Sequence, residues 1–222
     1  REGGYVGEGA APGPQAGGGI HSEMARRCDA LQRVLYGSAM TGLFEEIFGE
    51  PVRHFDFSWL RAISPGRGTK PHMDNVFMNR GTPRLLTAWV PLGDVPLEMG
   101  GVAVLEGSHR LARLQDGYAD RDVDTYCVED GPDGEWWNGT LREDADGLRA
   151  EVGSRWLTGS YRAGDVLVFT MLTAHCGLDN GSDEVRLSCD IRYQPASEPV
   201  DGRWVGPDPS AHGPRSKVGV IC

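Results

Sequence analysis

Four residues of this 222-residue chain are of the types and spacing that build a reactive metal centre. They are His72 and Asp74, two apart in Lys70-Pro71-His72-Met73-Asp74, with His175 and, eleven residues later, Arg186. Two imidazoles and one carboxylate on one side of an ion leave the opposite positions open, the facial arrangement expected of non-haem Fe(II) oxygenases. The planar fork of an arginine suits bidentate capture of a carboxylate, such as the distal one of 2-oxoglutarate. Spacing alone does not choose the pair, because His54-Phe55-Asp56 repeats it. In a strand either pair would present imidazole and carboxylate to one side. The first pair lies opposite an aromatic face and reads as a structural or solvated pair; the second follows a Gly- and Pro-rich approach.

The elements that must position these residues are mostly strands. Leu31, Val34 and Leu35, then Leu43, Phe44, Ile47 and Phe48, recur at three- and four-residue spacing between Ser22 and Phe48. This predicts two short amphipathic helices broken near Gly37 and Gly42. From Val52 to Ile63 the chain alternates, with Phe55, Phe57, Trp59 and Ile63 on one face. Arg61 shares that face. A guanidinium there either meets an anion, as a second contact for a carboxylate, or reaches water from the strand end. Further strands are expected at 85–91, 101–105, 165–171 and 185–193, the class of a β-sandwich or jelly roll. In the last of these, Arg186, Ser188, Asp190 and Arg192 alternate with Val185, Leu187, Cys189, Ile191 and Tyr193. A polar face turned inward would let Arg186 and the Ser188 hydroxyl hold a carboxylate, with Arg192 as rival anchor. Asp179-Asn180-Gly181-Ser182 reads as a hairpin turn joining the His175 and Arg186 strands.

Downstream of the second His-x-Asp pair stand Thr87-Ala88-Trp89-Val90-Pro91 and Met99-Gly100-Gly101-Val102-Ala103-Val104-Leu105-Glu106-Gly107-Ser108-His109-Arg110. Ala163-Gly164-Asp165-Val166-Leu167-Val168-Phe169 then leads to His175 and Arg186-Leu187-Ser188. In order and spacing these segments resemble the signature of the phytanoyl-CoA dioxygenase family, which includes ectoine hydroxylase, over roughly 52–194. The resemblance implies a double-stranded β-helix (jelly roll, cupin-like) with short N-terminal helices packed on it. It also implies Fe(II) held by His72, Asp74 and His175, and 2-oxoglutarate held by Arg186, whose separation from His175 matches the family. Trp89, at the family's Ala-Trp pair, would help wall the cosubstrate pocket. The expected reaction hydroxylates an unactivated C–H bond of a small molecule with O₂, releasing succinate and CO₂. An intact Asp74 favours hydroxylation over halogenation and leaves desaturation and cyclisation open. A cupin-type metalloprotein with redox-neutral chemistry and a catalytically idle binding module of the same fold are the competing readings.

Composition bounds the partners. A net charge of −10 disfavours nucleic acid and anionic membranes. No run reaches the length of a membrane span. The beginning lacks the basic-then-apolar order of a secretory signal, so a cytoplasmic setting is expected. Five scattered cysteines without a CxxC pair predict free thiols. Residues 1–21, rich in Gly, Ala and Pro, are expected to be loosely held, and 22–222 to form one domain. Between about 110 and 162 the alternation lapses into an acidic insertion, read as a partly ordered lid. Its Asp120, Asp122, Asp124, Trp136 and Trp137 either attract a cationic ligand or are merely solvated. Asn75, Arg80 and Lys70 are candidates to read a polar substrate, and Met73, Phe77 and Met78 to wall the pocket. His109 is expected to be a turn residue, His21 and His212 solvated, and the stretch after Gln194 to wrap the surface.

Overall fold

The computed structural model describes residues 19–127 and 134–212. Most of the N-terminal segment expected to be loose, the acidic residues Glu129, Asp130 and Asp133, and the last ten residues lie outside that description. Gly19–Ile20 forms a short edge strand, β1.

Three helices follow rather than the two expected: α1 (Ser22–Arg27), α2 (Asp29–Tyr36) and α3 (Ser38–Phe48). The breaks fall at Cys28 and Gly37, whereas Gly42 lies inside α3. At Gly37 the chain turns so tightly that a Cβ would stand 2.3 Å from the Arg33 carbonyl oxygen. Gly42 has open space around it and only lowers helix propensity.

The strands form two antiparallel sheets, the mainly β class expected. The larger contains β1, β2 (Val52–His54), β3 (Trp59–Ile63), β4 (Leu86–Pro91), β7 (Leu167–Thr170) and β9 (Arg186–Pro195). Its order is β1-β3-β9-β4-β7, with β2 also paired to β9. The smaller contains β6 (Trp156–Leu157), β5 (Val102–Leu105) and β8 (His175–Gly177), in that order. The single strand expected over 52–63 is interrupted at 55–58, where Phe55 and Phe57 turn toward Trp204 with ring centroids at 6.3 and 5.3 Å. β8 and β9 lie in different sheets, so the 179–182 turn is a corner and not a hairpin. Asn180 holds that corner, donating to the carbonyls of Ile63 at 3.1 Å and Glu184 at 2.7 Å.

Period-two alternation along β9 divides its two environments. Cys189, Ile191 and Tyr193 are buried with Leu35 and Phe44 of the helices, and Phe44 stacks on Tyr193 at 4.3 Å. Each such side chain stabilises by about 1.5–3 kcal/mol on full burial. The opposite face carries Arg186, Ser188, Asp190 and Arg192, all buried as well. Trp89 and Phe169 of the large sheet meet Val102 of the small one, and this core separates the sheets.

The insertion contains α4 (Ala112–Gln115), α5 (Val123–Cys127), α6 (Ala145–Val152) and β6. It is anchored by the buried Leu114, Tyr118, Leu148 and Val152, which pack with Met73 and Val76. Asp122 and Asp124 are not solvated; they take the guanidinium groups of Arg80 and Arg203. The segment after Gln194 likewise goes inward. Asp201, Arg203, Trp204 and His212 are buried, because Trp204 supplies the centre of an aromatic cluster and Arg203 bridges Asp201 and Asp124. No helix among the described residues is long and apolar enough to cross a membrane.

Candidate active site

His72, Asp74 and His175 converge, each offering one ligand atom within 4.8 Å of the others. The backbone brings the histidines together. His72 N donates to His175 O at 3.0 Å and His175 N donates to His72 O at 2.9 Å, a reciprocal antiparallel pair that puts both side chains on one side. Their ring centroids are 4.3 Å apart. Met73 is extended, so Asp74 returns to the His72 side while Met73 itself points into the core. The i, i+2 logic thus operates in an isolated bridge followed by a 3-10 turn over Asp74–Phe77, not in a long strand. His54 and Asp56, 3.6 Å apart and partly exposed, meet no third ligand among the described residues.

Each metal-facing atom is selected by what holds the rest of its side chain. The Nδ1 of His72 lies 2.7 Å from the Lys70 carbonyl and that of His175 lies 2.9 Å from the Thr173 carbonyl. A carbonyl only accepts, so each Nδ1 carries the proton and each Nε2 presents its lone pair inward. Burial and the neighbouring His175 push the His72 imidazole down to about 3, which keeps it neutral and able to ligate. For Asp74 burial acts upward, but Arg192, both histidines and the Thr87 hydroxyl outweigh it and hold the carboxyl well below its ordinary range. Its Oδ2 accepts from Thr87 Oγ1 at 2.5 Å and Arg192 Nη2 at 2.9 Å. Oδ1 is left toward the imidazoles, 3.7 Å from His175 Nε2 and 4.0 Å from His72 Nε2. Thr87→Val, which keeps the shape and deletes the hydroxyl, is expected to weaken Fe(II) binding about 10–100-fold in a metal titration. Unchanged affinity would mean that Arg192 alone orients the carboxylate.

Beside the ligands lies the inward face of β3 and β9. Arg61 stands opposite Ser188 and Trp59 opposite Asp190, so Arg61, Arg186 and Arg192 share this face with one carboxylate, Asp190. Asp190 Oδ2 accepts from Arg61 Nε at 2.7 Å, so Arg61 is paired and not reaching into water. Arg192 lies over the Trp59 ring at 4.2 Å. Arg186 is only 2% exposed and, among the described residues, forms no salt bridge, feeling Asp190 only at longer range; its Nη1 reaches the Leu178 carbonyl at 3.5 Å and its Nε has no partner there. Burial, then Arg61, pulls its guanidinium down to about 10. The Ser188 hydroxyl is also buried and unpartnered. Unmet donors around an excess of positive charge fit a dicarboxylate anion. Gly177 backs Arg186 closely, since a Cβ there would lie 3.2 Å from both Arg186 Nη2 and Thr69 Oγ1. The donor set of two imidazoles and a monodentate carboxylate likewise fits Fe(II) with open positions.

A cavity of about 250 Å³ opens in front of His72 and Asp74. Trp59, Phe77 and Met78 give it an apolar wall, Arg61 and Arg192 lie along one side, and Asn138, Gly139 and Thr140 of the insertion form another. Trp89, expected in the wall, packs on Tyr161 at 4.9 Å outside this lining. Lys70 borders the cavity and faces Glu143 at 3.6 Å. Asn75 and Arg80 are engaged elsewhere, with Ala119 and with Asp122 and Asp124. Of the insertion's tryptophans, Trp136 is exposed and Trp137 stacks under Arg121 at 4.0 Å. His109 sits in a 3-10 turn.

The residue that sequence reasoning misplaced is His212, which is buried and lines the cavity. Nothing in Ala211-His212-Gly213 announces this. Thr87 was legible in principle, being on the inward parity of β4 opposite Arg192.

Three comparisons bear on this site. The 1-deoxypentalenic acid 11-beta-hydroxylase of Streptomyces arenae is 29% identical over 171 residues, 70% of this chain and 53% of that protein. The chain therefore spans about half the length of the curated relatives it matches. Among solved structures, the non-heme alpha ketoglutarate dependent carbocyclase SnoK from nogalamycin biosynthesis superposes with a TM-score of 0.57 at 26% identity, covering 79% of this chain and 62% of SnoK. The epimerase SnoN, solved with Fe3+, alpha ketoglutarate and nogalamycin RO, gives 0.57 at 27% identity, covering 82% and 68%. EctD from S. alaskensis shares the fold, with a TM-score of 0.60 at 17% identity, covering 85% and 61%. The model of the phytanoyl-CoA dioxygenase family matches residues 20–188, most of the chain and all four residues of the metal and arginine constellation, and the chain belongs to that family.

Proposed function

We propose that this chain is an Fe(II)- and 2-oxoglutarate-dependent dioxygenase that hydroxylates an unactivated C–H bond of a small molecule. The observation that carries the reading is the convergence of His72, Asp74 and His175, together with a guanidinium, Arg186, buried on the inward face of β9 with no salt bridge to a carboxylate among the described residues. Fe(II) and 2-oxoglutarate, when bound, supply the oxidising power: O₂ is consumed, 2-oxoglutarate becomes succinate and CO₂, and one oxygen atom goes to the substrate. The protein's share is geometry. His72, Asp74 and His175 hold the ion on one side only. Arg186 and Ser188 take the far carboxylate of the cosubstrate, with Arg61 close by through Asp190. Trp59, Phe77 and Met78 exclude water from the reacting C–H bond, and Asn138, Gly139 and Thr140 of the insertion wall the same cavity as the described part of a lid. Free Cys28, Cys176 and Cys189 fit a reducing, cytoplasmic setting.

A second outcome shares the oxidant. The carbocyclase and epimerase among the similar structures support ring closure or inversion at carbon as alternatives to hydroxylation. The test is succinate release from Fe(II)-loaded protein with 2-oxoglutarate, O₂ and a substrate panel starting with 1-deoxypentalenic acid, followed by mass analysis. Gain of one oxygen atom marks hydroxylation, loss of two hydrogens ring closure or desaturation, and unchanged mass epimerisation. Substrate-stimulated succinate should vanish in His175→Ala. Its persistence there at full rate would remove the assignment.

A further inference from the structure

We infer that His212 is the residue that orients the substrate, using its Nε2 to hold an oxygen-bearing polar group while the rest of the molecule reaches toward the metal ligands. This rests on the oxygenase reading of the same cavity and adds the substrate class, a mainly apolar small molecule with a hydroxyl at its far end, since an Nε2 that carries no proton only accepts.

The geometry is specific to one nitrogen. His212 Nδ1 lies 2.6 Å from Asp124 Oδ1, and a carboxylate only accepts, so Nδ1 carries the proton. The other ring nitrogen has no partner among the described residues, although the side chain is only 6% exposed and borders the cavity. A buried imidazole that lines a cavity with one nitrogen committed and the other without a partner is a poised hydrogen-bonding group. Its orientation is fixed from behind. Asp124 is itself gripped by Arg203 Nη1 at 2.6 Å and Arg80 Nη2 at 3.1 Å, and the ring rests against Trp204 with centroids 4.8 Å apart. Asp124 is thus shared between His212 and two guanidinium groups, so its place is held by Arg203 and Arg80 as well as by the imidazole.

Position gives the substrate its length. Phe77 neighbours both His72 and His212, its ring centroid 5.8 Å from each, and all three line the same cavity as Asp74. A molecule in that cavity can therefore lie against Phe77 and meet both the metal face and the His212 ring. The side walls between them, Trp59, Phe77 and Met78, offer apolar surface that favours a carbocyclic body.

The test uses Zn(II)- and 2-oxoglutarate-loaded protein with three probes: cyclohexanol, cyclohexanecarboxylate and cyclohexane. Nitrogen-15 NMR of the histidine rings reads which imidazole each probe perturbs, the His212 signal being the one absent from His212→Phe. We expect cyclohexanol to shift the His212 Nε2 resonance and to bind at least five-fold more weakly to His212→Phe, while cyclohexanecarboxylate, which has no proton to donate, leaves that resonance unmoved. Cyclohexane should bind both proteins alike. Since Phe also removes the Asp124 contact, His212→Gln is the second variant, expected to recover part of the affinity through its amide. Equal binding of cyclohexanol to wild type and His212→Phe would overturn the assignment, as would its failure to bind wild type at all. A His212 response to the carboxylate alone would overturn it as well, because it requires a proton on Nε2. Binding of 2-oxoglutarate in the same samples is an independent readout: its loss from wild type would count against the oxygenase reading, not against His212.

Discussion

Asp74→Ala is expected to abolish both catalysis and metal retention and, unlike the other ligand substitutions, to destabilise the metal-free protein strongly. The carboxylate has two jobs on its two oxygens. Oδ1 faces the imidazoles, and Oδ2 neutralises Arg192, which is 2% exposed and otherwise has only Asp190 at 4.0 Å and the face of Trp59. Deleting one partner of a buried ion pair leaves an uncompensated charge and costs about 3–5 kcal/mol. Succinate release should fall by roughly three orders of magnitude, the loss of about 4 kcal/mol of stabilisation at the reacting centre. Asp74→Asn separates the two jobs. Its carbonyl still accepts from Thr87 and Arg192, which restores the hydrogen bonds though not the neutralising charge, so thermal unfolding should fall by less than in Asp74→Ala, while the remaining amide presents N–H to the ion and metal binding is lost all the same. An Asn variant that kept metal-dependent activity would show that the carboxylate is not a ligand.

Arg186→Met is expected to move stability and function in opposite directions. The wild-type guanidinium is buried without an anion, and burial together with Arg61 lowers its proton affinity, so the metal-free protein carries an unmet cost there. A methionine of similar length fills the space with apolar contacts. The metal-free variant should gain about 1–2 kcal/mol, or roughly 2–8 °C in Tm for a chain of this size. The gain reverses once cosubstrate is added. In the metal-loaded wild type, 2-oxoglutarate at a hundred times its Kd should stabilise by about 2.7 kcal/mol; in Arg186→Met that increment should disappear, with kcat/KM for 2-oxoglutarate down about 10²–10³-fold. Calorimetry with and without 2-oxoglutarate reads both signs. Should the variant keep its 2-oxoglutarate affinity, the anchor is Arg192 or Arg61, and Arg186 is a structural cation.

How much of this was legible beforehand follows the range of the forces involved. Alternation along β9 was readable because a strand buried on both faces, one apolar and one polar, must segregate its residues by parity. The choice between His54-x-Asp56 and His72-x-Asp74 was not, because it depends on which histidine meets the backbone of His175 about a hundred residues on, a pairing with no local signature. The turn at 179–182 has hairpin composition yet makes a corner, since Asn180 ties it to the end of β3 and not to a strand partner. The acidic insertion looked solvated because Asp122 and Asp124 find their arginines at Arg80 and Arg203, far away in sequence. The same long-range pairing carries His212 to the cavity. A Pro- and Gly-rich tail shows no periodicity, and only Trp204 hinted that it is pulled inward.

The most direct measurement is anaerobic visible spectroscopy of Fe(II)-loaded protein on addition of 2-oxoglutarate, before any substrate is known. A cosubstrate that chelates the iron beside His72, Asp74 and His175 gives a metal-to-ligand charge-transfer band, and the band should be present in wild type, absent in His175→Ala, and shifted to much higher 2-oxoglutarate concentration in Arg186→Met. A wild-type protein that holds Fe(II) yet stays colourless at saturating 2-oxoglutarate would contradict the account and favour redox-neutral chemistry or a binding role for the same fold.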